Sequence, residues 1–505
     1  MKQAFLYFFL LLFSMLCFPI YESSIAVSKQ AGGKSSAFLA LVQEKSHLIS
    51  QSVKIIKISD GTPLFQLNAD KLQVPASVSK LITSAAALVK FGPTKTFTTR
   101  FYRRGSMENG VIKGDLVAVG DGDPYLVSEL LWQFSADLKH MGIREIKGDL
   151  IIDNSLFDGV TRDNSRKEGI ASSTHAYDAP VSAFGVNFNT LAIALAPSTQ
   201  VGEKAIISLD PYMLDGVDIV NKTSTSSRET NQGVKIARMS LHNGAQKLVA
   251  SGRVSQGDGL QKIYRSVNDH VLTSGEYVRA FLKAENITIK GNVRSGLRKK
   301  NDELVYELNS YPLSRIIEGL NQYSNNYIAD VLVKRMGAEF FPLKSQSHAK
   351  KQLGSYQNGV SVIETFLRND VGIKSRFVLQ NGSGLSIKNR FNADQLCQLL
   401  KYMAERMDVF PEFLSSLPAS GLTGTLKKRF LDKSYKDLIG KIRAKTGTLQ
   451  EPISVSSLAG YVNHPIHGLL AFAIIQNGIS GKKQPSIDEL RRQQDKQVSA
   501  ILKLF

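Results

Sequence analysis

The sequence predicts an α+β fold in which one domain is assembled from both ends of the chain and interrupted by an inserted, mostly-β region. Three observations predict it. Strand patterns occur near both termini, helical patterns cluster after residue 303, and between about 99 and 302 short β-like runs alternate with Gly, Asp and Asn. The two-ended domain is expected at 27–98 and 303–505. The insertion is expected at 99–302, as two subdomains of which about 200–260 is the inner one. A chain of 505 residues exceeds one compact core, and 43% hydrophobic with 21% charged residues is an ordinary globular composition.

Residues 1–26 stand apart. Lys2 precedes an apolar run from Ala4 to Ile20, and Ser24-Ile25-Ala26 supplies a small-x-small end. This is the pattern of a secretory signal peptide cleaved after about Ala26, so export to the periplasm is expected. The alternatives are a membrane anchor, for which a run broken by Ser14 and Pro19 is marginal, and a lipoprotein through Cys17, for which Ser14 is a poor upstream residue. After cleavage Cys397 stands alone, so no intrachain disulfide is expected; within Asp394–Leu400 it reads as a small core residue of a helix.

The net charge is +19, and loss of Lys2 together with Glu22 leaves it unchanged. Such a chain is attracted to polyanions, here wall polymer or a membrane surface, although a generally basic solvated surface explains the charge equally well. The basic residues are scattered and no nucleic-acid-binding module is recognisable, so nucleic acid is not expected as a partner.

Along the chain, Val53–Ile58, Asp60-Gly61 and Leu64–Leu67 predict a β-hairpin. A helix is expected from about Ser77 to Lys90, stopped at Gly92. Asp115–Val119 and Asp149–Ile152 read as strands, each following Lys-Gly, a local echo. Helices are expected at Leu313–Leu320, Tyr327–Met336 and Val360–Leu367. Ser457–Val462 and Leu469–Ile475 read as adjacent antiparallel strands, and a helix from Ile487 to Leu504 closes the chain.

A serine hydroxyl needs a base within hydrogen-bond reach, and Ser with Lys at i and i+3 on a helix supplies one. Ser77-Val78-Ser79-Lys80 has this spacing at a helix start, where the helix dipole also favours a developing oxyanion. Ser347 to Lys350 and Ser480 to Lys483 share the spacing, but Ser77 alone is followed by a long apolar helix that would bury the base. Ser324-Asn325-Asn326 lies in a polar break between two helical segments and offers a hydroxyl and an amide; Ser266-Val267-Asn268 matches too, and a helix cap is the plainer reading of either. Lys445-Thr446-Gly447 occurs once, on a strand expected from Lys441 to Leu449. A cation, a hydroxyl and a residue without a side chain suit an extended substrate ending in a carboxylate. No metal-ligand cluster or phosphate loop is evident, so neither metal nor cofactor is expected.

Ser-x-x-Lys, Ser-x-Asn and Lys-Thr-Gly in this order resemble the motif set of penicillin-binding proteins and serine β-lactamases. About half the chain separates the first two motifs, which resembles the class C low-molecular-mass penicillin-binding proteins, the D-alanyl-D-alanine carboxypeptidase/endopeptidase family. Tyr177-Asp178-Ala179-Pro180, Gly382-Ser383-Gly384-Leu385-Ser386 and Gly421–Leu426 look like that family as well. Two departures stand out: Asn381 where Asp usually precedes Gly-Ser-Gly-Leu, and Asn325 where Asp is common.

The resemblance implies a penicillin-binding transpeptidase-like (β-lactamase-like) domain. It implies hydrolysis next to D-alanine in peptidoglycan stem peptides and cross-links, with β-lactam antibiotics as covalent inhibitors. By resemblance Ser77 is the nucleophile and Lys80 its base, with the Lys80 pKa depressed by nearby Lys445. Ser324 relays a proton and Asn326 holds the substrate amide. Lys445 and Thr446 bind the terminal carboxylate beside Gly447, and the N–H groups of Ser77 and Thr448 form the oxyanion hole. Carboxypeptidase and endopeptidase action both remain open, and β-lactamase activity or non-catalytic wall binding are the rival readings.

Overall fold

The computed structural model describes residues 33–163, 173–227, 233–241, 244–342 and 353–505. The leader with Cys17, and the Ser347–Lys350 pair, lie outside the described residues. Helix α1 (Gly33–Gln43) leads into strands β1 (Ile49–Lys57) and β2 (Pro63–Leu67), a hairpin whose Gly61 takes φ +76°. A short 3₁₀ turn, Ala76–Ser79, runs directly into α2 (Lys80–Phe91), which ends at Gly92 with φ +81°.

The insertion opens with β3 (Thr98–Arg104), β4 (Met107–Glu108), β5 (Val111–Ile112), β6 (Asp115–Val119) and helix α3 (Ser128–His140). It continues with β7 (Glu145–Ile146), β8 (Leu150–Asp153), β9 (Thr190–Ala196), β10 (Ile206–Asp210), β11 (Val217–Ser226), β12 (Lys235–Ser240), β13 (Gln246–Ser255) and β14 (Gln261–Ser266). Helix α4 (His270–Ala284), β15 (Thr288–Ile289), β16 (Val293–Ser295) and β17 (Glu303–Asn309) complete it.

The region is less purely β than the sequence suggests. Leu131, Phe134 and Leu138 of α3 and Tyr277, Val278 and Phe281 of α4 form part of its hydrophobic core. Their helical spacing is hidden among turn residues. Strand β17 pairs with β3, so Glu303–Asn309 shares a sheet with the insertion rather than with the downstream helices. The Lys-Gly echo is a stack. Ile112, Ile146 and Ile289 are in parallel register, and a third rung, Lys290-Gly291, joins Lys113-Gly114 and Lys147-Gly148.

Helices α5 (Leu313–Tyr323), α6 (Asn326–Phe340), α7 (Tyr356–Thr365), α8 (Ala393–Ala404) and α9 (Phe410–Ser416) follow, then β18 (Ile442–Leu449), β19 (Val455–His464), β20 (Gly468–Gly478) and α10 (Ile487–Leu504). The ends of the chain meet in one antiparallel sheet, ordered β18-β19-β20-β1-β2. The apolar run in β20 is buried on both faces. Leu470, Phe472 and Ile474 pack with Phe38 of α1 and Val498 and Ile501 of α10, while Ala471, Ala473 and Ile475 pack with the core that holds α2, α5, α6 and α8. The sheet is therefore the middle layer of a helix–sheet–helix sandwich, with β18 at an edge. No helix among the described residues is long and apolar enough to cross a membrane.

Cys397 is buried in α8, and burial pushes its thiol pKa up to about 12. In the native protein at pH 8 Cys397 is expected to resist alkylation and to react once the chain is unfolded; peptide mapping after iodoacetamide treatment reads this, and native labelling would contradict the assigned packing.

Candidate active site

The geometry around Ser77 begins with a forced turn. Ala76 takes φ +49°, a left-handed conformation costly for a residue with a Cβ. Gly384 and Gly447 permit the close packing around it. A Cβ on Gly384 would lie 2.0 Å from the Ala76 carbonyl oxygen, and one on Gly447 would lie 2.6 Å from that of Pro75 and 3.1 Å from the Ser77 nitrogen. Strand β18 and the Gly382–Gly384 turn thus press against the segment that starts α2.

Lys80, one turn on, is fully buried. Its Nζ lies 2.9 Å from Ser77 Oγ and 2.6 Å from Asn326 Oδ1, and it also hydrogen-bonds the Ser383 carbonyl. Two of these partners are carbonyl oxygens, which only accept. The Ser77 hydroxyl also lies 3.4 Å from the Ser383 carbonyl, so the hydroxyl and the buried amine share one acceptor and stand within proton-transfer distance of each other.

Ser324 and Asn326 are brought in by the junction of two helices. Ser324 caps the C-terminus of α5 in a left-handed conformation (φ +56°), and Asn325 caps α6 by accepting from the Ile328 N–H at 3.1 Å. The cap reading of this motif therefore holds for Asn325, where Asp would serve equally, and leaves Asn326 to face Lys80. The Asn326 Nδ2 donates to the Tyr177 carbonyl at 2.8 Å, which fixes which end of the amide Lys80 meets.

On the edge strand, buried Lys445 donates to Ser324 Oγ at 2.8 Å and to the Thr446 carbonyl at 3.0 Å. Burial first, and the neighbouring Lys80 second, hold its ammonium pKa well below the ordinary lysine range. Thr446 Oγ1 meets Thr425 Oγ1 at 2.8 Å, and Thr448 Oγ1 accepts from Arg491 at 3.4 Å. Ser77, Ser324, Asn326 and Thr448 line one cavity of about 770 Å³, together with His175, Tyr177 and Leu449.

All eight sequence-predicted residues lie in this neighbourhood, whereas the look-alikes do not. Ser480 and Lys483 sit on an exposed loop, and Ser266 is buried at the end of β14 with Asn268 bonded to Ser240. The sequence reading missed the carbonyls of Ser383 and Tyr177, because a backbone acceptor leaves no side-chain signature. Their flanking stretches were the available signal. Asn381 places no charge in the cleft. It is fully buried, its Nδ2 donates to Asp163 at 3.0 Å, and its Oδ1 accepts from the Gly384 N–H at 3.1 Å. Aspartate there would set two carboxylates together.

A helix–sheet–helix sandwich that brings these three motifs to one cavity defines the penicillin-binding class of fold. Solved structures agree. Penicillin binding protein 4 of Haemophilus influenzae superposes with a TM-score of 0.73 at 21% identity, covering 92% of this chain and 99% of that one; the same protein has been solved complexed with a β-lactam. A predatory peptidoglycan endopeptidase of Bdellovibrio bacteriovorus matches at TM-score 0.54 and 15% identity, over 90% of this chain and 93% of its own. In sequence, the D-alanyl-D-alanine carboxypeptidase of Actinomadura sp. is 29% identical over 452 residues, which is 85% of this chain and 78% of the relative. The chain belongs to the D-Ala-D-Ala carboxypeptidase 3 (S13) family, whose model matches residues 39–497.

The depressed Lys445 pKa fixes a sign. The native state releases the Lys445 proton at lower pH than the unfolded chain, whose lysines titrate near about 10.4. Between the two values the unfolded chain binds the extra proton, so stability rises with pH across that window. Lys445→Met removes the effect. Its stability relative to wild type should be greatest near neutral pH and decline toward pH 10 in denaturant melts; a difference independent of pH would show that Lys445 is not held in an ammonium-disfavouring site.

Proposed function

We propose that this chain is an exported, periplasmic serine peptidase that removes terminal D-alanine from peptidoglycan stem peptides through an acyl-enzyme on Ser77. The observation that carries the reading is the buried Lys80 amine, whose Nζ lies 2.9 Å from Ser77 Oγ and 2.6 Å from Asn326 Oδ1.

Ser77 Oγ attacks the carbonyl of the penultimate D-alanine while its proton passes to neutral Lys80. The N–H groups of Ser77 and Thr448 receive the oxyanion. The tetrahedral intermediate collapses, the C–N bond breaks, and a proton relayed from Lys80 through Ser324 leaves with D-alanine. Lys445 and Thr446 hold the departing carboxylate, and Asn326 aligns the substrate amide. Water then attacks the ester, returning Ser77 and the free acid. The substrate lies as an added strand along the edge of β18 from Lys445 onward, past the stretch Ile442–Ala444 that pairs with Pro418–Ser420. β-Lactams acylate the same serine; the β-lactam complex of the Haemophilus protein supports this.

Endopeptidase action on cross-links is a second activity of the same site. A cavity of 770 Å³ is larger than a terminal dipeptide fills, and it is walled partly by the insertion at His175 and Tyr177.

Purified protein should release D-alanine from a pentapeptide ending in D-Ala-D-Ala. Ser77→Ala should lower the rate by about 10⁴-fold or more, and Lys445→Ala should lower kcat/KM by about 10–100-fold, the worth of a charge-assisted hydrogen bond. Retained release by Ser77→Ala, or no release by wild type from either pentapeptide or cross-linked substrate, would overturn the assignment.

A further inference from the structure

A second cleft opens at the other end of α5, outside the catalytic cavity. Its floor is the outer face of the sheet β10-β9-β14. Ala192 lies at the centre of that floor, in register with Asp210 on one neighbouring strand and Tyr264 on the other. The small central residue leaves a depression between two larger ones. Lys262, one diagonal step from Ala192, pairs with Asp210 at 2.7 Å. The walls come from the start of α3, with Glu129, from Tyr125 in the loop before it, and from the start of α5, with Tyr311 and Arg315. The enclosed volume is about 380 Å³, within the range of small-ligand sites, and it falls at the junction of the insertion with the helical layer, where such sites concentrate.

The chemistry of the walls narrows the ligand. Tyr125, Tyr264 and Tyr311 present aromatic surface. Tyr264 is 48% exposed, and among the described residues none of the three hydroxyls has a protein hydrogen-bond partner. Tyr125 is braced edge-on by Phe188 at 5.3 Å and Tyr311 at 5.9 Å, and it lies against Gly319 of α5, where a Cβ would come within 2.7 Å of its ring. Aromatic plates with free hydroxyls, beside a carboxylate and a guanidinium, suit a ring with an apolar face and a polar rim. A sugar has that shape, with hydroxyls all round its rim to meet the tyrosine hydroxyls, the carboxylate and the guanidinium together.

The position of the cleft supplies the second argument. Arg315 lies in α5 and Ser324 caps its C-terminus, nine residues on, about 14 Å along the axis at the helical rise. Four extended peptide residues reach about 14 Å. Nine residues also leave Arg315 and Ser324 a net half turn apart, so the stem peptide covers the axial separation, and the disaccharide that carries it, or that of a cross-linked neighbour, bridges round α5 to place a sugar in this cleft. We propose that the Tyr125–Tyr264–Arg315 cleft is a glycan subsite that takes an N-acetylated amino-sugar unit of peptidoglycan. The proposal rests on the peptidoglycan reading above.

The test uses the full-length mature protein with two exposed or half-exposed substitutions, Tyr264→Ala and Ala192→Phe, the second filling the depression. Two substrates share the same pentapeptide, one free and one attached to its disaccharide. Both variants should keep kcat/KM on the free pentapeptide and the rate of penicillin acylation within 2-fold of wild type. On the disaccharide-bearing substrate kcat/KM should fall by roughly 10-fold, through KM. Saturation-transfer NMR with the peptide-free disaccharide should show binding to wild type and to Ser77→Ala, and loss of binding in Ala192→Phe. Equal effects on both substrates, or no disaccharide signal with wild type, would overturn the subsite, as would displacement of the disaccharide by free pentapeptide, which would make the cleft a peptide site. If wild type releases D-alanine from neither substrate the catalytic reading fails, while disaccharide binding still stands or falls by the NMR arm.

Discussion

Everything in this fold that bears on chemistry converges on one buried amine. Lys80 has no solvent to satisfy it, so its partners must be protein groups, and they come from three separated stretches of chain: Ser77, Asn326 and the Ser383 carbonyl. A buried amine is tolerated when its N–H groups are spent on acceptors. The same requirement draws the start of α2, the α5–α6 junction and the Gly382–Gly384 turn to a single point. The strained Ala76 and the two close-packed glycines are the conformational cost of that convergence.

The insertion takes part in this arrangement. Its Tyr177 carbonyl receives the Asn326 amide, and Leu156, Phe157, Ala179, Val181 and Ala183 pack against Tyr327 and Val331 of α6. The fully buried Lys334 ties α6 to the insertion through Asp158 and the Val160 carbonyl. Breaking such a buried pair leaves an unpaired charge, so the two regions are held in register by electrostatics as well as by apolar packing. The insertion both sets the Asn326 amide and walls the cavity.

Much of this was legible in the residues. The apolar runs Ser457–Val462 and Leu469–Ile475 announced the adjacent antiparallel strands β19 and β20, and Ile487–Leu504 has the bounds of the observed terminal helix. The three motifs were legible because side-chain chemistry writes itself in residue types. What stayed hidden is backbone and long-range. The Ser383 and Tyr177 carbonyls could be carried by any residue. Strand β17 joins β3 across about two hundred residues, and no local pattern encodes that pairing. Helices α3 and α4 were lost among turn residues, and the third Lys-Gly rung was overlooked because Asn292 replaces the Asp that follows the first two.

In the proposed mechanism Ser77 is the nucleophile because Lys80 is held beside it as its base. The most direct measurement is to incubate the protein with penicillin, digest it, and locate the adduct by mass spectrometry, in wild type and in Lys80→Met. The account predicts a penicilloyl group on Ser77 in wild type and an acylation rate reduced by about 10³-fold or more in the variant. An adduct on another serine, or unchanged acylation without the amine, would contradict it.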